Sequence, residues 1–483
     1  MKLVAGLGLL GALHPLAAGG VFYNSNRSAE YLRTFERNSA VEGADLVYYN
    51  MAGAVRLPPG LTLNLSNQTL FQRATVATLG NPVLGDRTYQ STNPAWVVPN
   101  LYVACRQGRV AVFMGLETIG ATAIRTWQGG LPNLDLLGRQ RVGYGGAASL
   151  VLAGDAYAAA LRAGQSPTQA QAAALAAGLD ASTFEARSWL KGSSAYLAWR
   201  GGAAYRLSPT WSLAAAVRFV AARQELTGQV EAEATYNQAG HDLRQGVRLL
   251  LHRVDRATGW SGELGLNAYP APGLVLSFTC ELATPLTFRT SVLDGQDGGG
   301  LLQDGRRSRL DLPMVLRAGV GWQATPRLRA SLGVNAYREH AADFGMLRDP
   351  ASGIEPGRDY GNTFEEAGSL EYRLTPSWLV SAGVNFNQIG QRRAATLDLS
   401  LPGAHEDYVS AGAGFRYAAS RRCRINVGLA HTRFRHPFEH VDELGDQALQ
   451  DRFAAQGQAI RPRKRYDKRY VILALGLECH FGR

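Results

Sequence analysis

Apolar and polar residues alternate along much of the sequence, most regularly near its C-terminal end. In residues 470–481, YVILALGLECHF, every second position is apolar and most positions between are small or polar. A β-strand points successive side chains to opposite faces, so one face of this strand suits lipid and the other a polar lumen. The pattern is typical of a strand in an outer-membrane β-barrel.

Similar segments, bounded by turn residues, recur from Gly60 to the end of the chain. Short connections, such as 107–108, 208–210, 324–326 and 375–377, alternate with long ones, which is the asymmetry of an outer-membrane barrel. We therefore predict an all-β fold, a transmembrane antiparallel barrel of about 14 strands. The predicted strands lie near 60–73, 95–106, 109–120, 193–207, 210–224, 245–269 (one interrupted strand), 273–289, 307–323, 326–338, 362–374, 377–390, 406–418, 422–436 and 465–481.

A hairpin pattern occurs three times, in residues 201–219, 319–337 and 368–386. Each copy places a tryptophan beside its short turn and on the outward phase of a strand; these are Trp211, Trp322 and Trp378. Aromatic girdles mark the two interfaces of a membrane barrel. We expect the three interface tryptophans to face outward near the periplasmic rim.

The first residues have the layout of a secretory signal. One lysine precedes an apolar run at 4–13, and small residues at 17–19 provide a cleavage site. Residues 1–19 are therefore predicted to be removed, and the mature chain is expected in the outer membrane of a Gram-negative-type bacterium. No later stretch has the ~20 continuous apolar residues of a membrane helix.

Composition agrees with a barrel, since 46% of residues are hydrophobic, 18% are charged and 55 are glycines. The formal charge of +11 suits contact with anionic membrane lipid and lipopolysaccharide, and we expect no nucleic-acid partner for an exported chain. The four cysteines lie on apolar faces and show neither CxxC nor metal spacing, so they are interpreted as lipid-facing hydrophobes. They are Cys105, Cys280, Cys423 and Cys479.

Charged residues are frequent on the inward phase of the strands. We predict that they pair across a wet lumen, as a structural polar network. The set comprises Arg200, Arg218, Glu281, Arg317, Arg329, Glu371, Arg416, Arg424 and Glu478. Residues before strand one, about 20–59, are too polar for lipid and are expected inside the lumen.

That segment contains Asn50-Met51-Ala52-Gly53 just before the first strand. It resembles the start of the FadL/TodX family of outer-membrane transporters for long-chain fatty acids and aromatic hydrocarbons, in which an Asn-Pro-Ala-Gly run closes an N-terminal hatch. Residues 281–288, ELATPLTF, and the three hairpins also resemble family segments. The resemblance covers nearly the whole mature chain, although Met51 replaces the family's proline.

The resemblance implies a barrel at 60–483 plugged by a hatch at 20–59, which carries hydrophobic compounds passively. It also implies sideways exit at a defect in strand three, where Gly115 or Gly120 could weaken the strand. The alternatives are a general diffusion porin, which lacks a plug, and an outer-membrane enzyme or surface-binding barrel. No GxSxG run or metal spacing appears, and no cofactor is expected. We expect a monomer.

The connection at 121–192 is predicted to be a long outer loop with a helical part at 166–179. Its apolar residues form either the mouth of a groove for a hydrophobic ligand or a small core under the helix, and the resemblance favours the groove. These candidate binding residues are Trp127, Leu131, Leu134, Leu136 and Leu137. The basic run at 461–470 is expected to pair with lipopolysaccharide phosphates or, as a less favoured alternative, with a fatty-acid carboxylate.

Overall fold

The computed structural model describes most of the predicted barrel. Described are residues 28–80, 84–121, 125–144, 147–170, 173, 183–238, 241–296, 302–343, 361–390, 407–434, 438–441 and 463–482. The predicted signal segment at 1–19 lies outside these residues, as does most of the predicted helix at 166–179, of which the described residues 167–170 are helical as predicted.

The wall is a closed antiparallel barrel of 14 strands, as the alternation predicted. It closes where the first strand segment pairs with the last, from Leu61 opposite Phe481 to Leu79 opposite Arg463. Five of the wall strands are interrupted, so that the described part of the wall contains nineteen segments. They are β1 (Gly60–Leu79), β2 (Arg87–Ser91), β3 (Ala95–Gln107), β4 (Val110–Ala121), β5 (Arg125–Trp127), β6 (Thr183–Arg206), β7 (Trp211–Gln238), β8 (His241–Ala271), β9 (Leu274–Glu281), β10 (Thr287–Gln296), β11 (Arg307–Arg309), β12 (Val315–Gln323), β13 (Leu328–Tyr337), β14 (Thr363–Arg373), β15 (Trp378–Gln388), β16 (Tyr408–Ala418), β17 (Cys423–Phe434), β18 (Phe438–Val441) and β19 (Arg463–Phe481).

Side-chain exposure follows the predicted phase of the strands. In β19, Leu473 and Leu475 are exposed on the outer surface, whereas Ile472 and Ala474 between them are buried on the inner one. Apolar side chains on the outside of a closed barrel are stable only in contact with lipid. The interface tryptophans Trp211, Trp322 and Trp378 are also exposed, at 46%, 55% and 41%, and each adjoins a short turn as predicted.

Strand continuity differs from the prediction at two places. The segment predicted as one interrupted strand at 245–269 is a single long strand, β8, because β7 pairs with it along its whole length. The predicted strand at 273–289 is instead broken between β9 and β10, where Pro285 lacks the N–H that a continuous ladder requires. The neighbouring predicted strand at 307–323 is likewise divided into β11 and β12. An isolated bridge between Thr284 and Leu312 connects the two broken regions.

Helices occur only outside the wall, in the described part of the chain. They are α1 (Ala29–Thr34), α2 (Leu46–Tyr49), a 3-10 helix (Met51–Arg56), α3 (Pro132–Tyr144), α4 (Ala147–Arg162) and a second 3-10 helix (Glu339–Ala341). Among the described residues, no helix is both long and apolar enough to cross a membrane. The outer loop is therefore more helical than predicted, since α3 contains the leucine-rich run itself.

The interpretation of all four cysteines as lipid-facing hydrophobes is wrong for two of them. Cys423 and Cys479 lie directly opposite each other on β17 and β19 and form a disulfide. Cys105 and Cys280 are free. The disulfide joins the last two wall strands at the periplasmic end.

Candidate functional site

Residues 28–57, here called the N-terminal segment, lie inside the wall and are almost entirely buried. The segment begins with Ser28, whose hydroxyl accepts a hydrogen bond from the Tyr31 backbone N–H and caps the short helix α1. The same hydroxyl donates to Asp45 Oδ2 at 2.9 Å, and Arg37 Nε donates to that same oxygen at 3.0 Å. These internal bonds fold the segment on itself, so a chain without long helices keeps one shape in the lumen.

Glycines of the wall allow α1 to lie directly against the strands. A Cβ added to Gly383 on β15 would overlap the carbonyl oxygen of Thr34, and one on Gly412 of β16 would overlap that of Leu32. Gly428 on β17 would place a Cβ 2.9 Å from the carbonyl oxygen of Ala29. Any larger residue at these positions would push α1 away from the wall.

Asn50-Met51-Ala52-Gly53 lies against β7 and β8. The Asn50 amide donates to the Ala40 carbonyl at 2.9 Å, and the Ser212 hydroxyl of β7 donates to the Ala52 carbonyl at 2.9 Å. A Cβ on Gly53 would lie 2.5 Å from that same Ala40 oxygen, which explains the glycine. Met51 is fully buried next to Gly265.

Six charged side chains of the wall form a buried cluster above α2. Arg200 lies 3.0 Å from Glu263 and 3.5 Å from Glu117, and Arg317 lies 2.9 Å from Glu281, which also pairs with Arg218. Three arginines thus face three carboxylates, so the cluster is formally neutral. Sequence analysis missed Glu117 and Glu263, although both are acidic residues on the inward phase of strands.

The cluster also binds the N-terminal segment. Arg200 donates to the backbone carbonyls of Val47 and Tyr48 at 2.9 and 3.0 Å. The Tyr48 ring lies between two guanidinium groups, 4.8 Å from that of Arg200 and 5.0 Å from that of Arg317. Cation–π contacts of this kind strengthen when water is excluded, as it is from these buried groups.

Four of the five other predicted lumen charges contact the N-terminal segment, and the fifth, Arg424, pairs with one of those four. Arg329 donates to the Ser39 carbonyl at 2.7 Å, and Arg416 pairs with Glu42 at 3.0 Å. Glu371 pairs with Arg33 of α1. Glu478 accepts from the Ala44 backbone N–H at 3.0 Å and pairs with Arg424 at 3.5 Å. The predicted charges therefore contact the segment as well as one another.

At the outer end of the barrel, four of the five candidate binding residues belong to one buried apolar cluster, here called the outer cluster. Trp127, Leu131, Leu134 and Leu137 pack against inward side chains of β1, β2, β6, β7 and β8, which include Leu190, Leu226, Val230, Leu249 and Leu251. Leu136 is half-buried and lies outside this cluster. Helix α3 thus turns its apolar side into the barrel opening rather than toward the solvent.

Asp135 is the polar element of this contact. Its carboxylate accepts hydrogen bonds from Ser188 at 2.6 Å and Tyr89 at 2.9 Å, and Arg87 lies 3.5 Å away. Burial raises the pKa of the Asp135 carboxyl above its ordinary value, although these neighbours oppose the increase. Docking of α3 therefore removes water from the Asp135 carboxylate, which costs free energy when that group is ionised.

A second inward cluster, here called the aromatic cluster, consists of Val315, Tyr337, Ile389, Tyr408 and Phe434. Tyr470 packs against it and accepts a hydrogen bond from Arg125 of β5 at 2.8 Å. Lys468 is buried on this inner face, 5.3 Å from the centre of the Phe434 ring. Lys468 is also directly opposite Ala74 of the outer cluster, so the two apolar clusters meet at a cationic side chain.

Lys468 belongs to the basic run at 461–470, which divides between the two faces of β19. Arg465 and Arg469 are exposed outside, whereas Lys468 is inside. The face of each residue follows from the alternating phase of the strand.

The wall is irregular at β4, the third strand. Its register with β6 shifts between Thr118 and Gly120, close to one of the two glycines predicted to weaken it. A side chain replaces a ladder bond there, since the Thr118 N–H donates to the Asn100 side chain at 3.1 Å. The neighbouring β1–β3 pair also shifts its register, and there the Val98 N–H donates to the Asn67 side chain at 2.9 Å. Side-chain substitutes of this kind can rearrange more readily than a continuous ladder.

No group of three or more His, Cys, Asp and Glu side chains in the described regions could hold a metal ion.

Comparison with known proteins gives structural likeness only. No protein-family model and no curated protein matches the sequence. Among solved structures, a Pseudomonas aeruginosa FadL homologue superimposes with a TM-score of 0.59 and 14% identity, over 96% of this chain and 100% of that one. The Pseudomonas putida toluene transporter TodX gives 0.54 and 13%, over 91% and 95% of the two chains. The Ralstonia pickettii toluene transporter TbuX gives 0.54 and 13%, over 95% and 99%.

The fold is therefore that of the FadL and TodX barrels, as the sequence resemblance predicted. Closed barrels with an apolar outer surface occur in the outer membrane of Gram-negative bacteria, and this chain is an outer-membrane barrel of that type.

Proposed function

We propose that this barrel carries hydrophobic small molecules with an acidic head, most simply long-chain fatty acids, passively across the outer membrane. The observation that supports this most directly is the meeting of two inward apolar clusters at Lys468. An alkyl chain would lie between the outer cluster and the aromatic cluster, and its carboxylate would pair with the Lys468 ammonium. The similar structures include a toluene transporter and a monoaromatic hydrocarbon channel, so the apolar part of the path alone suits either class of cargo.

Capture begins at α3 in this proposal. The helix contacts the barrel through the apolar outer cluster and through the hydrogen bonds of Asp135. A hydrophobic ligand can take the place of α3 in the apolar packing, because it offers the same kind of surface. The candidate capture residues are thus Trp127, Leu131, Leu134 and Leu137, acting from a packed cluster rather than from an open groove.

The N-terminal segment acts as the hatch. Its position supports a plugged transporter over a general diffusion porin, because residues 28–57 occupy the lumen that a porin keeps open to water. Exit would follow the irregular third strand, where the Thr118 N–H donates to the Asn100 side chain in place of a ladder bond. A sideways path into lipid suits a cargo that is poorly soluble in the periplasm.

The test separates the apolar contacts from the cationic one. In cells whose own copy is deleted, we expect Leu134→Asp to reduce uptake of both oleate and toluene severalfold, because it places a charge in the outer cluster. We expect Lys468→Met to reduce oleate uptake about tenfold or more, as loss of a charge-assisted contact of roughly 1.5–3 kcal/mol predicts, and to spare toluene.

Leu161→Asp is the matched control for the first variant, since Leu161 lies on the same loop in α4 but is exposed. Each variant must reach the outer membrane in a heat-modifiable form. Unchanged oleate uptake by a folded Lys468→Met barrel would exclude the fatty-acid proposal, and unchanged uptake of both compounds by Leu134→Asp would exclude capture at α3.

A further inference from the structure

Four arginines on the outer wall stand directly side by side on neighbouring strands. Arg223 of β7 is opposite Arg256 of β8, Arg256 is opposite Arg289 of β10, and Arg289 is opposite Arg307 of β11. All four side chains are exposed on the outward face. We call this set the arginine row; with strands about 4.8 Å apart, it is roughly 14 Å long.

Acidic partners are scarce along this row. Glu225 pairs with Arg223 at 2.8 Å, at one end. In the part of the chain that the structure describes, Arg256, Arg289 and Arg307 have no ion pair or side-chain hydrogen bond, although Arg309, two residues from Arg307, pairs with Asp311 at 2.6 Å. Like charges directly opposite each other destabilise a sheet, so an uncompensated row of this kind calls for an external anion.

A second row on the same strands shows the usual arrangement. Arg187 of β6 is opposite Glu231 of β7, and Glu231 is opposite Arg248 of β8, with 3.4 Å between the last two charged groups. This compensated row lies eight residues farther out along β7 than the arginine row. Opposite charges alternate there and compensate one another.

The height of the arginine row identifies its surroundings. Four residues toward the membrane along the same strands, Trp199, Phe219 and Trp260 form an aromatic row on directly paired positions, with ring centres 5.7 and 4.7 Å apart. Trp211, at the periplasmic rim of β7, is eight residues below Phe219, which is roughly 20 Å in height for a tilted strand. Two aromatic levels separated in this way bracket an apolar band of about 25 Å.

The arginine row therefore lies roughly 10 Å above the outer aromatic level, among the lipid headgroups of the outer leaflet. Guanidinium groups bind phosphate oxygens in a bidentate manner and are the preferred partners of phosphate at protein surfaces. Because the row extends across four strands, it can contact phosphate groups at both ends of one disaccharide headgroup.

We propose that the arginine row is a binding site for the phosphorylated headgroup of lipid A, the membrane anchor of lipopolysaccharide. The phosphates would lie between Arg256, Arg289 and Arg307, and the acyl chains would run down over the aromatic row. The site is independent of the transported compound, since it is on the outer wall and the transport path is inside.

The test uses the full-length chain folded in detergent micelles. Binding of bis-phosphorylated lipid A is titrated against the parent protein and against Arg256→Gln/Arg289→Gln/Arg307→Gln. Each basic residue at an anionic membrane surface contributes roughly fivefold in affinity, so three substitutions should weaken binding about 100-fold. Arg187→Gln/Arg244→Gln/Arg248→Gln removes three exposed arginines from the same region above the headgroups and should change the affinity less than fivefold.

Lipid A from which both phosphates have been removed should bind the parent as weakly as the first variant binds the intact lipid. Millimolar inorganic phosphate should fail to displace intact lipid A, since the acyl chains also contact the wall. Parent-like affinity in the triple variant, equal binding of dephosphorylated lipid A, or displacement by inorganic phosphate would each overturn the proposal.

Removal of three repelling charges should leave folding intact, and lipid-free triple variant should resist heat at least as well as the parent. If that variant did not fold, Arg289→Gln alone, in the middle of the row, should still show a fivefold loss, and its absence would count against the site.

Discussion

Release of the N-terminal segment by overpacking of the wall is the sharpest prediction of the hatch proposal. Gly383→Val and Gly412→Val each place a side chain where the backbone of α1 now lies, against the carbonyl oxygens of Thr34 and Leu32. The wall itself tolerates valine, a good strand residue. The strain therefore falls on the docked segment.

The magnitude follows from the contacts that hold the segment. Overpacking costs typically 1–3 kcal/mol per site, so the double variant loses about 2–6 kcal/mol of docking free energy. Among the described residues, seven hydrogen bonds join wall side chains to the segment backbone, from Arg200 (two bonds), Arg106, Ser212, Ser277, Arg329 and Glu478. At roughly 0.5–1.5 kcal/mol each, they contribute about 4–10 kcal/mol. The loss is comparable in size to this sum, and the undocked fraction should rise roughly 30-fold to 20,000-fold.

The assay is ionic conductance of the purified barrel in planar lipid bilayers. We expect small, rare openings from the parent and frequent, larger ones from the double variant. The matched control is Gly201→Val/Gly262→Val, because a Cβ at the outward Gly201 meets nothing within 4 Å and one at Gly262 makes an ordinary 3.5 Å contact. If a heat-modifiable Gly383→Val/Gly412→Val barrel conducted no more than this control, the segment would not be what closes the lumen.

Three further predictions concern the loop, the wall and the membrane level. Since the pKa of Asp135 is raised in the folded loop, docking of α3 should be strongest at acidic pH and should weaken as the pH rises through that raised value. Hydrogen exchange of residues 127–138 measures the docking, and Asp135→Asn should remove its pH dependence. Replacement of Cys423 and Cys479 by serine should lower the heat resistance of the barrel by up to about 4 kcal/mol, the loop-closure value for a separation of 56 residues, in gels run without reductant. Lipids brominated near the headgroup should quench the three interface tryptophans equally, and unequal quenching would place them at different depths.

The wall could be predicted from the sequence because alternation reports which face of each strand meets lipid. The same signal gave the outward tryptophans and the inward charges. It could not report the Cys423–Cys479 disulfide, because a disulfide depends on which strands are neighbours and in which register. Nor could it show α3, because leucines that pack into a barrel opening have the same composition as leucines that line an open groove.

The N-terminal segment shows a different limit. Wall side chains donate to its backbone carbonyls, at Asn38 from Ser277, at Ser39 from Arg329 and at Ala52 from Ser212. A bond to a carbonyl specifies the path of the chain and leaves the side chain free to vary. Only positions where the path itself is crowded, such as Gly53, require a particular residue.

This accounts for a methionine at position 51, where the family that the sequence resembles has a proline. Met51 is the first residue of its 3-10 helix, a position whose backbone N–H has no helical partner, so either residue satisfies the backbone. Proline would hold the chain in place by fixing φ, whereas Met51 holds it in place by packing its buried thioether side chain against Gly265. The docked path can therefore persist while the motif that marks it changes.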